Sequence, residues 1–266
     1  MKPLNSHPDT TTVATPSTSP KSKLLSVKFA TVLLMAISPL ALQGAVVVTG
    51  GAPTTFAVDN YDDLGAGFSY TVQNTDSVLV IGFYTDFQNG PSGVTFGGIA
   101  PDNFLVGSRM GIAYWANPDT GAGAFAVSGI NGAQAFLAGV YELAGVDLDA
   151  VVTGTSNGTS TNTITTPTAN EFVISYAASN NTAAITTGAS SIIGLDIGIQ
   201  PPTGTITAYL AGGTGLAGAA GAQDVTWDNE DRGSLNYSFQ AVPEPSSFAL
   251  LAGCFGLTWV MVRRRA

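Results

Sequence analysis

The strongest constraint on this chain is the rhythm of its apolar residues. Between positions 46 and 241, runs of four to eight residues rich in Val, Ile, Phe, Tyr and Thr alternate with clusters of Gly, Asn, Asp and Pro. Runs of that length and composition suit strands on a pleated, half-buried surface. No amphipathic helical pattern of comparable length separates them, so a parallel sheet with crossover helices is not expected. Strands are predicted over 54–58, 68–72, 78–84, 94–96, 112–115, 124–127, 135–143, 162–166, 171–177, 191–197, 205–210 and 234–239. The class read from this pattern is all-β: an antiparallel β-sandwich, jelly-roll or Ig-like, flanked by an N-terminal signal peptide and a C-terminal transmembrane helix. Two low-complexity stretches, 153–168 (Thr, Ser, Asn, Gly) and 211–221 (Gly, Ala), read as loops or edge ribbons. No period of 20 to 50 residues calls for a solenoid.

Both ends read as addresses rather than folds. Residues 1–45 form a leader and signal peptide: a Thr/Ser/Pro-rich opening, then Lys21, Lys23 and Lys28, then the apolar run 29–42, then the small pair Gly44-Ala45. Pro39 and the shortness of the run argue against a retained N-terminal anchor. Residues 46–241 form one extracellular domain, and 242–266 a tail whose apolar stretch, 246–262, would be about 25 Å of helix. Arg263, Arg264 and Arg265 follow it as a membrane-topology signal.

The domain is poor in the groups that most chemistry needs. It contains no Lys and no His, and two arginines, Arg109 and Arg232, face sixteen carboxylates, a net charge of −14. Such a surface repels phosphate backbones, so nucleic acid is not expected as a partner. The one histidine, His7, precedes the signal peptide, which excludes a Ser-His-Asp triad and histidine-built zinc sites in the domain. Without Lys there is no Walker-type phosphate loop. An enzyme is therefore not expected. A carboxylate glycosidase using Glu142, Glu171 or Glu230 is the enzymatic alternative, although no motif pairs them and Glu142 reads as a solvent-facing or edge residue.

Three binding alternatives stay open. Asp228, Glu230 and Asp231, and the earlier cluster 59–63, offer oxygen ligands of the kind Ca²⁺ takes, without matching an EF-hand; no other cofactor is expected. Trp115, Tyr114 and Trp227 are candidates for a glycan-stacking platform for exopolysaccharide, against the competing reading that they are core. Thr161, Thr163 and Thr165 alternate and so share one strand face, the kind of hydroxyl row an ice-binding surface uses.

At the C-terminus Val242-Pro243-Glu244-Pro245, the apolar stretch 246–262 and Arg263-Arg264-Arg265 together resemble the PEP-CTERM sorting signal of Gram-negative bacteria. In that family a membrane-embedded cysteine protease, the exosortase, is thought to recognise Pro-Glu-Pro. The resemblance implies that Val242, Pro243, Glu244 and Pro245 are recognition residues, that the prolines hold the cleavage region extended and off the helix, and that the arginines stay cytoplasmic. It also implies an inner-membrane-anchored precursor and a destination at the cell surface or in the extracellular matrix. More loosely, 78–84, Val94-Thr95-Phe96-Gly97-Gly98, the hairpin opened by Ala113-Tyr114-Trp115-Ala116-Asn117-Pro118, and the strand 139–147 ending Gly145-Val146-Asp147 resemble a β-sandwich module of bacterial surface proteins. That likeness implies a fold far more than a function.

Cys254, the single cysteine, lies in the tail, so the domain holds no disulfide. Its thermal midpoint is expected to be the same with and without dithiothreitol. A large drop in reductant would overturn this account of the domain.

Overall fold

The structure is a computed structural model that describes residues 44–264 apart from 50–51, 62–66, 87–89, 131–134, 151, 158–160, 182, 204–205 and 243–244. The leader and all of the signal peptide except Gly44 and Ala45 lie outside the described residues, as do Pro243, Glu244 and Arg265. The chain divides into a unit Gln43–Glu244 and a second comprising Met1–Leu42 and Pro245–Ala266.

In the first unit the strands are β1 (Val47–Val48), β2 (Thr54–Val58), β3 (Phe68–Val72), β4 (Ser77–Thr85), β5 (Gly93–Phe96), β6 (Asn103–Val106), β7 (Met110–Ala116), β8 (Gly121–Ser128), β9 (Phe136–Ala144), β10 (Thr153–Asn157), β11 (Thr161–Thr166), β12 (Phe172–Ser179), β13 (Thr186–Thr187), β14 (Ile193–Ile199), β15 (Tyr209–Leu216), β16 (Gly221–Asp228) and β17 (Ser234–Phe239). They form four antiparallel sheets. A six-stranded sheet runs β1-β9-β4-β7-β6, with β2 also on β9; a five-stranded sheet runs β10-β17-β12-β15-β14; the three-stranded sheets are β3-β8-β5 and β11-β16-β13.

Three cores stack these sheets into layers. Val80, Tyr84, Ile112 and Tyr141 of the six-stranded sheet meet Ile174, Tyr176, Leu210 and Tyr237 of the five-stranded sheet in the central core. On its other face the six-stranded sheet packs Leu79, Ile81, Phe83 and Trp115 against Phe68, Phe96 and Phe125 of β3-β8-β5. The five-stranded sheet likewise packs Val173, Ala177 and Tyr209 against Ile164, Val225 and Trp227. This layering explains the two kinds of strand in the sequence. Inner β4, sandwiched on both faces, is buried at every position and reads as an unbroken apolar run, whereas outer β11 alternates exposed and buried. The antiparallel, sandwich-like architecture is as expected, but it is four sheets deep rather than the single pair of a jelly-roll or Ig-like sandwich.

The order β9-β4-β7-β6 with β3-β8-β5 reappears as β17-β12-β15-β14 with β11-β16-β13. One strand pattern is therefore laid down twice, at a spacing of about 100 residues, well outside the 20–50 residue window of solenoid repeats. Gly121 and Gly221 open the equivalent strands β8 and β16, both at positive φ (109° and 114°), and Gly129 and Asn229 follow them at 81° and 66°. The unit's ends meet: Gly44 N–H donates to Val242 O and Val242 N–H to Gly145 O, both at 2.9 Å.

The inner sheets meet around Tyr176. Gly82 of β4 and Gly139 of β9 lie directly opposite each other, and Gly212 pairs with Tyr176 itself. The ring occupies the floor these glycines leave. A Cβ at Gly212 or Gly139 would come within 2.9 or 3.1 Å of it, and one at Gly82 would run into it. The Tyr176 hydroxyl donates to Gly139 O at 2.8 Å, fully buried.

Of the two low-complexity stretches, expected as loops or edge ribbons, the first is an edge ribbon and the second is corrected here. The Gly/Ala stretch 211–221 is no loop: most of it is β15, paired with both β12 and β14. It is glycine-rich because Gly212 faces Tyr176 while Gly213 and Gly215 crowd the Gly194 and Ile192 carbonyls. The stretch 153–168 forms the edge strands β10 and β11.

The transmembrane helix expected over 246–262 is also not supported. The helix α1 (Pro245–Arg263) forms, but among the described residues no helix is long and apolar enough to cross a membrane. Its first turn is Pro245-Ser246-Ser247, and the apolar remainder from Phe248 to Val262 is only about 22 Å of helix against a hydrocarbon thickness of about 30 Å. Pro245 is not held extended before the helix but opens it, at the position where a missing N–H costs nothing.

Gly82→Ala is expected to lower the thermal midpoint by several degrees, because overpacking a core costs about 1–3 kcal/mol and each kcal/mol is worth about 2–4 °C in a domain of this size. Tyr176→Phe, which removes one buried hydrogen bond worth about 1 kcal/mol, should cost less. A Gly82→Ala protein melting with the parent would show that the ring does not set the sheet spacing.

Candidate functional site

The aromatic residues proposed as a platform are separated by the pleat. Tyr114 and Trp115 are successive in β7 and point to opposite faces. Tyr114 packs edge-on to Tyr237 and Phe239 at the central core, with ring centroids 5.2 and 5.7 Å away. Trp115 is buried against Phe96 and Phe125 and donates its indole N–H to Ile99 O at 3.0 Å. Trp227 is buried in the third core and donates to Ser175 Oγ at 2.8 Å. Trp115 and Trp227 are thus anchors of separate cores, and Tyr114, half-buried, packs against the central core from the opposite face of β7.

The glutamates are likewise kept apart by their partners. Glu142 is not solvent-facing but buried, and its carboxylate holds the β3–β4 turn: it accepts from Asn74 N–H at 2.8 Å, Gln73 N–H at 3.0 Å, Asn74 Nδ2 at 3.1 Å and the Tyr70 hydroxyl at 3.1 Å. Burial, and then that carboxylate, push the Tyr70 hydroxyl pKa upward. Glu171 accepts from Thr168 N–H at 2.7 Å and the Thr168 hydroxyl at 3.1 Å. Glu230 accepts from Gly233 N–H at 2.8 Å. Each carboxylate ties down the backbone of a different turn.

The same turn carries the calcium candidates Asp228, Glu230 and Asp231. Asp231 accepts from Asn180 N–H at 2.8 Å and lies 3.5 Å from Arg232, so the carboxylates point to different partners. Among the described residues no group of three or more acidic, His or Cys side chains is arranged to hold a metal ion. In the earlier cluster Asp59 accepts from Thr203 N–H at 3.2 Å, and Asp62 and Asp63 lie outside the described residues. Thr161, Thr163 and Thr165 do share the exposed face of β11, but β16 sets Thr226, Asp224 and Ala222 beside them, and Thr163 donates to Asp224 at 2.8 Å. A carboxylate therefore interrupts the hydroxyl array. Val242 is described and paired to the domain backbone, and Arg263 and Arg264 close α1.

Two features escaped the sequence reading. The first joins the domain's two cations. With its amide oxygen turned to them, Asn180 accepts from Arg109 Nη1 and Arg232 Nη2, each at 2.6 Å, while its nitrogen faces the Tyr84 hydroxyl. Arg109 also pairs with Asp86 at 2.7 Å. Burial raises the Tyr84 pKa to about 12, with Arg109 opposing the rise. The scarcity of cations was the available signal, since two arginines among sixteen carboxylates are unlikely neighbours by chance.

The second is a groove of about 370 Å³ between the β7–β8 connection, which links two sheets, and the segment 97–102. Phe96, Ile99 and the rim of Trp115 form its apolar side, and Asp102, Asn117 and Asp119 its polar side. Asn117 holds φ at 51°, a left-handed conformation that asparagine tolerates. Asp102 is fixed from below by Ala116 N–H, which donates to its Oδ2 at 2.7 Å.

Burial raises the Glu230 pKa, the Gly233 N–H opposing and the Asp231 charge adding to the rise. A carboxyl whose folded pKa is raised binds its proton more tightly when folded, so its contribution is favourable in acid and is lost as pH rises through the folded value. Relative to the parent, Glu230→Gln is therefore expected to gain stability between pH 4 and pH 7, read from urea midpoints. A gap that does not change with pH would refute this. Compared with protein families, characterised proteins and solved structures, the chain matches none.

Proposed function

We propose that this chain is a non-enzymatic, exported surface or extracellular-matrix protein, sorted through its C-terminal Pro-Glu-Pro tail. The observation that carries the reading is the use made of Glu142, Glu171 and Glu230. The three glutamates of a domain without His or Lys are each engaged by backbone N–H groups of a nearby turn. Four stacked sheets with large side chains turned inward suit a durable display scaffold.

The tail supports the exported half of the reading. Val242 is the last described residue hydrogen-bonded to the domain, and α1 begins at Pro245, so the Pro-Glu-Pro motif falls at the joint between them. The helix leaves Phe255, Leu257, Trp259 and Met261 at least half exposed, apolar surface that a lipid interface would cover. In this reading α1 holds the precursor at the inner membrane without crossing it, and an exosortase acts on the joint.

Replacing Pro243, Glu244 and Pro245 together by Ala is expected to trap the full-length protein in the membrane fraction of a host that contains the protease, with intact mass showing no cleavage. Release as efficient as the parent's would remove the motif from the account. Reducing-sugar release that a single Glu substitution abolishes would instead make the protein a glycosidase.

A further inference from the structure

We propose that the groove between the β7–β8 connection and the segment 97–102 binds a neutral polysaccharide chain. The inference rests on the surface-protein reading only for where such a chain is met.

Charge selects the ligand first. The groove is lined by Asp102 and Asp119 and by no cationic side chain, so it repels uronate, sulfate or phosphate groups and favours a ligand that donates hydrogen bonds. The acceptors are also held in readiness. Asp102 spends Oδ2 on Ala116 N–H, and among the described residues its Oδ1, the Asn117 amide and the Asp119 carboxylate have no hydrogen-bond partner in the protein. Neighbouring hydroxyls of a sugar ring are donors of matching type, and hydrogen bonds to a carboxylate are the stronger kind. Opposite them Ile99 is 55% exposed and offers an apolar surface for the C–H face of the ring.

The fold supplies its own comparison. Asn117-Pro118-Asp119-Thr120 leads into Gly121, and the equivalent Ala217-Gly218-Ala219-Ala220 leads into Gly221, with the two glycines alike in conformation. The second connection carries β15 over to β16, which lies in a different sheet, with no polar side chain at all. Asn117 answers to its own left-handed φ of 51°, which Ala217 does not share, so the comparison singles out Asp119, matched by Ala219, as the acidic side chain that the second connection does without.

Its extent points to a chain rather than a single sugar. Asp102 and Ala116 also border an adjoining cavity of about 130 Å³, with Tyr114 and Asp147 on its far side. A ligand crossing Asp102 would enter both spaces.

The test is calorimetry of the full-length chain in detergent and EDTA, so that no divalent ion can bridge. The probes are cellohexaose, laminarihexaose, mannohexaose and a dextran fragment, with an alginate hexamer as the anionic control. At least one neutral probe is expected to bind and alginate not to. Asn117→Gly combined with Asp119→Ala, both exposed and compatible with the turn, should weaken binding at least tenfold with an unchanged melting midpoint. Absence of binding by every neutral probe, equal binding of alginate, or a double variant that binds like the parent would each overturn the inference. Protease shaving of intact cells separates the two readings. A chain displayed on cells that binds none of the probes refutes the groove alone, whereas a chain that binds but is never displayed refutes the surface assignment alone.

Discussion

Tyr176 and the glycines beneath it fix how closely the two inner sheets approach, and much of the remaining architecture follows from that spacing. A ring laid over Gly82 and Gly139 with its hydroxyl on the Gly139 carbonyl is satisfied in both its apolar and its polar parts, so burial costs it nothing uncompensated. The same ring requires Gly212 at its cross-strand position, which places a glycine in the middle of β15. Glycine there weakens the strand's own preference by roughly 0.5–1 kcal/mol. The deficit is offset by pairing on both sides, β12 and β14, and by Ile197 closing over the same position.

Charge is handled in a way consistent with so few cations. A buried carboxylate without a positive partner survives only if its oxygens are saturated by donors. Glu142 achieves this with two backbone N–H groups, an amide and a phenol. The second half meets the need only in part, since Glu171 Oε1 takes two donors while its buried Oε2 has no partner among the described residues. By the register of β4 and β12, Ser77 and Glu171 are equivalent, as are Asn74 and Thr168. In the first half Ser77 donates to Asn74 O at 3.0 Å while Glu142 reaches over from β9; in the second, Glu171 grips Thr168 from within the turn. The turn is gripped in both halves by a carboxylate, from β9 in the first and from the turn itself in the second. The two arginines are spent together on Asn180, joining a residue just before β7 to one just before β17, and so link the two halves.

Much of this was legible in the sequence, and the parts that were not have identifiable causes. Three of the predicted strands, 54–58, 68–72 and 234–239, coincide with β2, β3 and β17, because turn residues bound them on both sides. Composition misled over β15, where glycine reports packing against Tyr176 rather than a loop. The short edge strands β1, β6 and β13 carry too few residues for a period to register. The duplication was invisible because it is conserved as strand order and as the backbone of Gly121 and Gly221 rather than as a residue pattern. Aromatic residues were correctly suspected of being core, but nothing in the sequence separates Tyr114 from Trp115 into different layers until the strand's two faces are known to be covered. The groove failed to register because Asp102, Asn117 and Asp119 come together only when the segment 97–102 folds against the β7–β8 connection.

Duplication also changes what a single loop can tell. In an unrepeated fold, a polar connection such as Asn117-Pro118-Asp119-Thr120 is explained by its turn, since Asn, Pro and Asp all favour one. Here the fold builds the equivalent connection from Ala and Gly alone, so backbone conformation accounts for Gly121, Gly221 and the left-handed Asn117 but not for Asp119. The same comparison works in reverse for Trp227. Its counterpart in β8 is Val127, buried at the same place with no indole, so Trp227 is a filling of the third core, anchored by Ser175, and not a feature the strand pattern demands. What differs between halves in the cores is absorbed by packing. The groove beside Asn117, open to solvent and lined by an Asp119 that the second half's β15–β16 connection lacks, has no packing role to absorb it.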